Sequence, residues 1–300
     1  MKKNLKKPYL IRGNCIGVFS PSCHVQKEDI AAAEKFVRDQ GFEVIVHEQT
    51  FEKLNQSAGT PEQKINAFHD LISDKDVQMI IASRGGNRSF TMADQLDFDL
   101  IKNNPKIICG YSDFTFMLNA ITAKTNLITF HSPVFRELPT HQDYSYMIDV
   151  LSGEQTSMDL SGCKAIREGE AKGKIYGGNL SVFQTLIGTP YMPDLNGAIL
   201  MLEDAGDHLS RYDRMLGHLK NSGALKNLSA LILGDFSDMQ ESENNPFGFD
   251  LKDLIAEHVQ DYDYPVIMNA PFGHKEQNKT FPIGAMAKLK DGQLSFKAFA

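Results

Sequence analysis

Short apolar runs alternate with amphipathic stretches through the first half of the chain. Positions 15–20 and 42–46 read as strands, 77–82 is apolar almost throughout, and 106–109 is a fourth run. Apolar runs without polar alternation suit parallel strands covered on both faces. Between them, 26–40 follows a helical period, with Ala31, Ala32, Phe36 and Val37 expected on one face and Gly41 placed to end it. Thr60-Pro61-Glu62-Gln63 predicts another helix start, with a threonine N-cap, a first-turn proline and glutamine at the capping-box position. Such strand–helix alternation predicts an α/β fold whose N-terminal domain is a mostly parallel, open sheet.

The periodicity fades between about 139 and 174. A linker is therefore expected at 151–164, joining an N-terminal domain over 1–150 to a smaller, mixed α/β C-terminal domain over 165–300. Further strands are predicted at 198–202, 230–233, 266–268, 285–289 and 294–298, the last two joined by an Asp291-Gly292 hairpin turn.

Composition narrows the function classes. Of 300 residues, 42% are hydrophobic and 23% charged, the balance of a chain with a buried core. Lys and Arg total 31 against 38 Asp and Glu, giving a net charge of −7, so the basic face that nucleic acid requires is not expected. The longest apolar runs, 197–202 and 228–233, fall far short of the roughly 18 residues of a membrane span. Met1–Lys7 carries four lysines, in the manner of a signal peptide's first residues. Arg12, Gly13 and Asn14 then interrupt the apolar run, and no small-residue cleavage pattern appears. A cytoplasmic protein is expected. Cys15, Cys23, Cys109 and Cys163 form no CxxC pair, which removes zinc-ribbon and dithiol redox motifs. No cofactor and no metal are expected.

Four places could carry chemistry. Ile107-Ile108-Cys109 runs into Gly110-Tyr111-Ser112-Asp113 and then a helical stretch over 113–124. A serine on a tight strand-to-helix turn stands clear of the sheet beside free helix amides. Ser and Asp are equally at home as ordinary helix N-caps, and both readings stay open. Arg84-Gly85-Gly86-Asn87-Arg88 follows another strand, and its paired glycines can bring backbone N–H groups close to an anion or simply make a turn. Glu203 and Asp204 end a strongly apolar strand, where a carboxylate is either functional or merely solvated. His274 lies in a Pro/Gly turn, Ala270-Pro271-Phe272-Gly273-His274, with a structural role as its alternative. Together, Ser112, His274 and Glu203 supply the nucleophile, base and orienting acid that serine acyl transfer requires.

These segments resemble the LD-carboxypeptidase family of serine peptidases, which includes the microcin C immunity peptidases. The resemblance rests on Pro105-Lys106, Gly110-Tyr111-Ser112-Asp113, Thr129-Phe130-His131-Ser132-Pro133, Gly177-Gly178-Asn179-Leu180 and Gly188-Thr189-Pro190. Leu202-Glu203-Asp204, Tyr212-Asp213-Arg214-Met215-Leu216, Leu233-Gly234-Asp235-Phe236, Phe272-Gly273-His274 and Pro282-Ile283-Gly284 continue it over nearly the whole chain. It implies a triad of Ser112, Glu203 and His274, an oxyanion hole from the backbone amides of Gly86 and Asp113, and a homodimer. The substrate it implies is a small peptide, a murein tetrapeptide losing its terminal D-alanine; the other branch implies a peptide-nucleotide amide. Gly85-Gly86-Asn87-Arg88 departs from the Gly-Gly-Tyr-Gly of the murein branch, whereas the absence of tryptophan departs from the immunity branch. Ser132 also stands where glycine is usual. Recognition of a free carboxylate points to Arg84 and Arg88, with Gly85 beside them, as substrate-binding candidates. A non-enzymatic α/β module binding a small ligand through Gly85-Gly86 is the rival from another class. A cysteine nucleophile fails on position, because Cys109 lies within the strand.

Overall fold

The computed structural model describes residues 9–241 and 244–299, so the lysine-rich Met1–Lys7 stretch lies outside the described residues. Two sheets organise the chain. The first runs Phe281–Ile283, Thr129–His131, Ile107–Gly110, Val77–Ala82, Cys15–Phe19, Glu43–Val46 across its width. Its last five strands are parallel, and only Phe281–Ile283 is antiparallel to its neighbour. Chain direction across the sheet reverses at Cys15–Phe19, so a crevice opens between the loops that follow Cys15–Phe19 and Val77–Ala82. The second sheet has eight strands, with Ala171–Asn179, Ile199–Ala205, Ala230–Ser237 and Val266–Met268 parallel at its centre and antiparallel strands on either side.

The expected α/β class is found, with mostly parallel strands. The helix Lys27–Asp39 buries Ile30, Ala33 and Val37, while Ala31 and Ala32 face solvent. The i, i+3, i+7 stripe through Ile30 and Val37 removes more apolar area from water than one centred on two alanines, which is why the helix is rotated from the expected face. The Pro61–Ser73 helix begins with the predicted capping box between Thr60 and Gln63. Asp291 and Gly292, at φ 49° and 72°, form the predicted turn between Met286–Lys290 and Gln293–Phe296. The weakly periodic stretch holds the Tyr144–Ser152 helix and the strands Ser157–Asp159 and Lys164–Arg167, both antiparallel members of the second sheet.

The two sheets are joined at the point that matters for chemistry. Helix Thr115–Thr125, just beyond Ser112, carries the buried Asn119, whose Nδ2 donates to Gly177 O at 2.8 Å and whose Oδ1 accepts from Gly177 N–H. Thr115 Oγ1 accepts from the Asn179 N–H at 3.0 Å. Asn179 is in register with Glu203 on the adjacent parallel strand. Side-chain bonds from the helix to the strand backbone, and strand pairing beyond it, thus place Glu203 relative to Ser112.

Candidate active site

Ser112 sits at φ 60°, the left-handed region that a non-glycine residue occupies only under constraint. The residue turns the chain from the Ile107–Gly110 strand into a short 3₁₀ segment, Ser112–Phe114, and then the helix. Neither Ser112 nor Asp113 caps that helix with its side chain, so the N-cap alternative is set aside by geometry. What remains is a strained elbow that presents a hydroxyl at the end of a buried strand.

The three candidate side chains meet in series. His274 Nδ1 lies 2.6 Å from Glu203 Oε2, and His274 Nε2 lies 3.1 Å from Ser112 Oγ. Because a carboxylate can only accept, Nδ1 carries the proton and Nε2 offers its lone pair to the serine hydroxyl. Glu203 is 0% exposed and His274 23% exposed, so the array is buried at the acid end and open at the hydroxyl end. Burial by itself would lower the His274 pKa, but the Glu203 carboxylate and its hydrogen bond outweigh it and the net shift is upward. Asp204, beside Glu203, accepts from Asn179 Nδ2, Ser181 N–H and Ala205 N–H. Burial, then the Glu203 charge, push its pKa up to about 6.

The glycine loop lies against the hydroxyl. A Cβ on Gly85 would stand 3.0 Å from Ser112 Oγ, so the loop backbone lies close to this hydroxyl. Gly86 has φ 133°, and a Cβ there would meet Cys23 Sγ at 2.3 Å. Gly86→Ala should therefore displace the loop, and kcat should fall by about 10²–10³-fold with a smaller change in KM in steady-state assays, the loss expected where the family resemblance implies an oxyanion donor. Arg84 donates from Nη1 to His24 O at 3.3 Å, and its buried Nε has no hydrogen-bond partner. Arg88 is exposed, with a left-handed backbone at φ 78°. A cavity of about 390 Å³ opens beside His274, with Tyr111, Glu137 and His141 among its lining residues. Cys109 is fully buried and its thiol pKa is pushed up by desolvation, the opposite of what a nucleophilic thiol needs. Among the described residues, no group of three or more His, Cys, Asp or Glu side chains is placed to hold a metal ion, and no helix is long and apolar enough to cross a membrane.

Several supporting residues escape sequence reasoning as site residues. His131 is fully buried, and burial lowers its pKa to about 4, so the ring is neutral. Its Nε2 lies 2.8 Å from Asn278 Oδ1, which also accepts from the Gly273 N–H on the loop that carries His274. His131 therefore ties the first sheet to that loop. The Thr129-Phe130-His131-Ser132-Pro133 motif is the available signal, but nothing in it specifies a partner 147 residues away.

Comparison with known proteins agrees with this architecture. Residues 16–132 match the LD-carboxypeptidase N-terminal domain and residues 172–289 the LD-carboxypeptidase C-terminal domain. A probable murein peptide carboxypeptidase of Bacillus subtilis (strain 168) is 27% identical over 298 residues, covering 97% of this chain and 93% of that protein. The crystal structure of a muramoyltetrapeptide carboxypeptidase from Oxalobacter formigenes superposes with a TM-score of 0.86 at 28% identity, covering 94% of this chain and 98% of that one. The structure of MccF in complex with glutamyl sulfamoyl guanosine gives a TM-score of 0.89 at 25% identity, covering 97% and 98%. Fold and family together define a hydrolase of the serine carboxypeptidase class. The chain belongs to the LD-carboxypeptidase family.

Proposed function

We propose that this enzyme releases the terminal D-alanine of murein tetrapeptides with Ser112 as nucleophile, His274 as general base and acid, and Glu203 as the group that orients the imidazole. The contact series of 2.6 and 3.1 Å, with the tautomer it imposes, carries the assignment. Ser112 Oγ bonds to the amide carbon as its proton passes to His274 Nε2. The developing oxyanion takes hydrogen bonds from the Gly86 and Asp113 amides, each contributing about 3 kcal/mol in comparable sites. His274 then gives the proton to the leaving amine as the C–N bond breaks, and a water activated by the same imidazole cleaves the acyl-enzyme. A homodimer, implied by the family resemblance, and a cytoplasmic location, expected from the short apolar runs and the interrupted N-terminal run, complete this reading.

Arg84 is assigned to the substrate's free carboxylate, because an Arg donor buried without an acceptor beside the glycine loop suits an incoming anion. Arg84→Met keeps the apolar stem and should raise KM about tenfold or more while kcat changes little, the loss of a charge-assisted bond. Arg88 is the weaker partner, being exposed.

A second reading, cleavage of a peptidyl-nucleotide amide, is favoured by the Gly85-Gly86-Asn87-Arg88 sequence and the likeness to MccF. Parallel kinetics on a murein tetrapeptide and an aspartyl-sulfamoyl-adenosine amide decide between them. Efficient release of D-alanine is expected; hydrolysis of the nucleotide amide alone would overturn the murein assignment.

A further inference from the structure

The Asp113 side chain does something that its backbone role does not require. It is 6% exposed, and its Oδ2 accepts two hydrogen bonds, from Ser22 Oγ at 2.6 Å and from the Ser89 N–H at 2.8 Å. Ser89 Oγ in turn donates to the Asp113 carbonyl at 2.6 Å, so residues 89 and 113 are paired twice. Ser22 belongs to the loop after Cys15–Phe19, and Ser89 begins the segment after the glycine loop. One carboxylate therefore ties together three chain segments at the sheet's topological crevice.

Its position gives these bonds a consequence for the oxyanion site. The glycine loop is anchored where it begins, because the Ser83 N–H donates to Phe19 O at 2.8 Å. It is anchored where it ends by Ser89 on Asp113. Between these anchors Gly86 rests over Cys23, the residue after Ser22, so the same carboxylate also holds the floor beneath it. Lys64, 1% exposed on the Pro61–Ser73 helix, lies within the electrostatic reach of Asp113. Burying a carboxylate is costly unless it is hydrogen-bonded or countered by charge, and Asp113 has both.

We propose that the Asp113 carboxylate is a positioning group for the oxyanion hole: by fixing Ser89 and Ser22 it sets the Gly86 amide in line with the Asp113 amide at Ser112 Oγ. This rests on the mechanism above and deepens it. Asp113→Ala keeps both backbone amides but lets the loop move away, whereas Asp113→Asn keeps an oxygen acceptor at the same place.

The test measures kcat, KM, the pH profile and thermal unfolding for the wild type and these variants on a peptide with a C-terminal D-alanine. Asp113→Ala should lower kcat about 100-fold, of the order of one oxyanion donor, with KM changed less than about threefold. The acid limb of kcat/KM should stay in place, because the His274–Glu203 pair is untouched, and Asp113→Asn should recover most of the loss. Equal kcat in wild type and folded Asp113→Ala, or a loss appearing mainly in KM, overturns the proposal. Should Asp113→Ala fail to fold, the Ser22→Ala/Ser89→Ala double variant decides, with about tenfold lower kcat expected and unchanged kcat contradicting it. A wild type that neither hydrolyses the peptide nor labels at Ser112 with a fluorophosphonate would instead remove the mechanism on which the inference rests.

Discussion

Ser112→Ala should abolish turnover, lowering kcat by on the order of 10⁴-fold or more while the protein stays folded. Only the hydroxyl that contacts His274 is removed, and that imidazole is open enough to solvent to be hydrated in its place. Alanine must adopt the same left-handed backbone at φ 60°, so strain is neither added nor relieved. The melting temperature should therefore move by no more than a few degrees, corresponding to about 1 kcal/mol. Activity assays with calorimetry check both parts. Retention of more than about a tenth of the wild-type rate would mean that another group attacks the carbonyl.

Glu203→Gln is the second variant with a large expected effect. The side chains have nearly the same volume, so the buried site, 0% exposed, is not opened. The amide NH₂ facing His274 can donate, however, and the ring then presents a lone pair at Nδ1 and a proton at Nε2. In that tautomer Nε2 cannot accept from Ser112, and kcat should fall by about 10³–10⁴-fold. The pH profile gives an independent readout. Neutral His274 is the active form, so the rate falls as pH drops through its pKa. The carboxylate holds that pKa above the ordinary 6.5, and the wild-type acid limb should lie above pH 6.5. Without the carboxylate its raising effect is lost, and the limb of the residual activity should move to lower pH. An unmoved limb would show that Glu203 does not set the charge on His274.

Local pattern makes much of the fold readable. The largely apolar Val77-Gln78-Met79-Ile80-Ile81-Ala82 strand, the Thr60–Gln63 capping box and the Asp291-Gly292 turn each carry a short-range physical signal, and each is found. The Ala171–Asn179 strand is not among the predicted strands: Lys172 and Lys174 alternate with buried positions, but Gly173, Gly177 and Gly178 leave little apolar signal. Phe281–Ile283 is equally hidden. Three residues containing a proline read as a loop, and only pairing at the sheet edge, where a missing N–H is tolerated, makes them a strand. The candidate site obeys the same rule. Ser112, Glu203 and His274 can each be named from the strand or turn beside them, but the 2.6 and 3.1 Å contacts depend on segments 71 and 162 residues apart. The roles of Asn119, His131 and the Asp113 side chain lie in such distant pairings, so a local motif can flag His131 or Asp113 but cannot name its partner.

Covalent trapping addresses the nucleophile without reference to any particular substrate. A fluorophosphonate reacts only with a serine whose proton is being taken and whose tetrahedral oxyanion is being held. Intact mass and peptide mapping should show one adduct per chain, on Ser112, formed by the wild type and lost in His274→Ala. A stable adduct on a different residue, or none on a folded and active enzyme, would contradict the account at its centre.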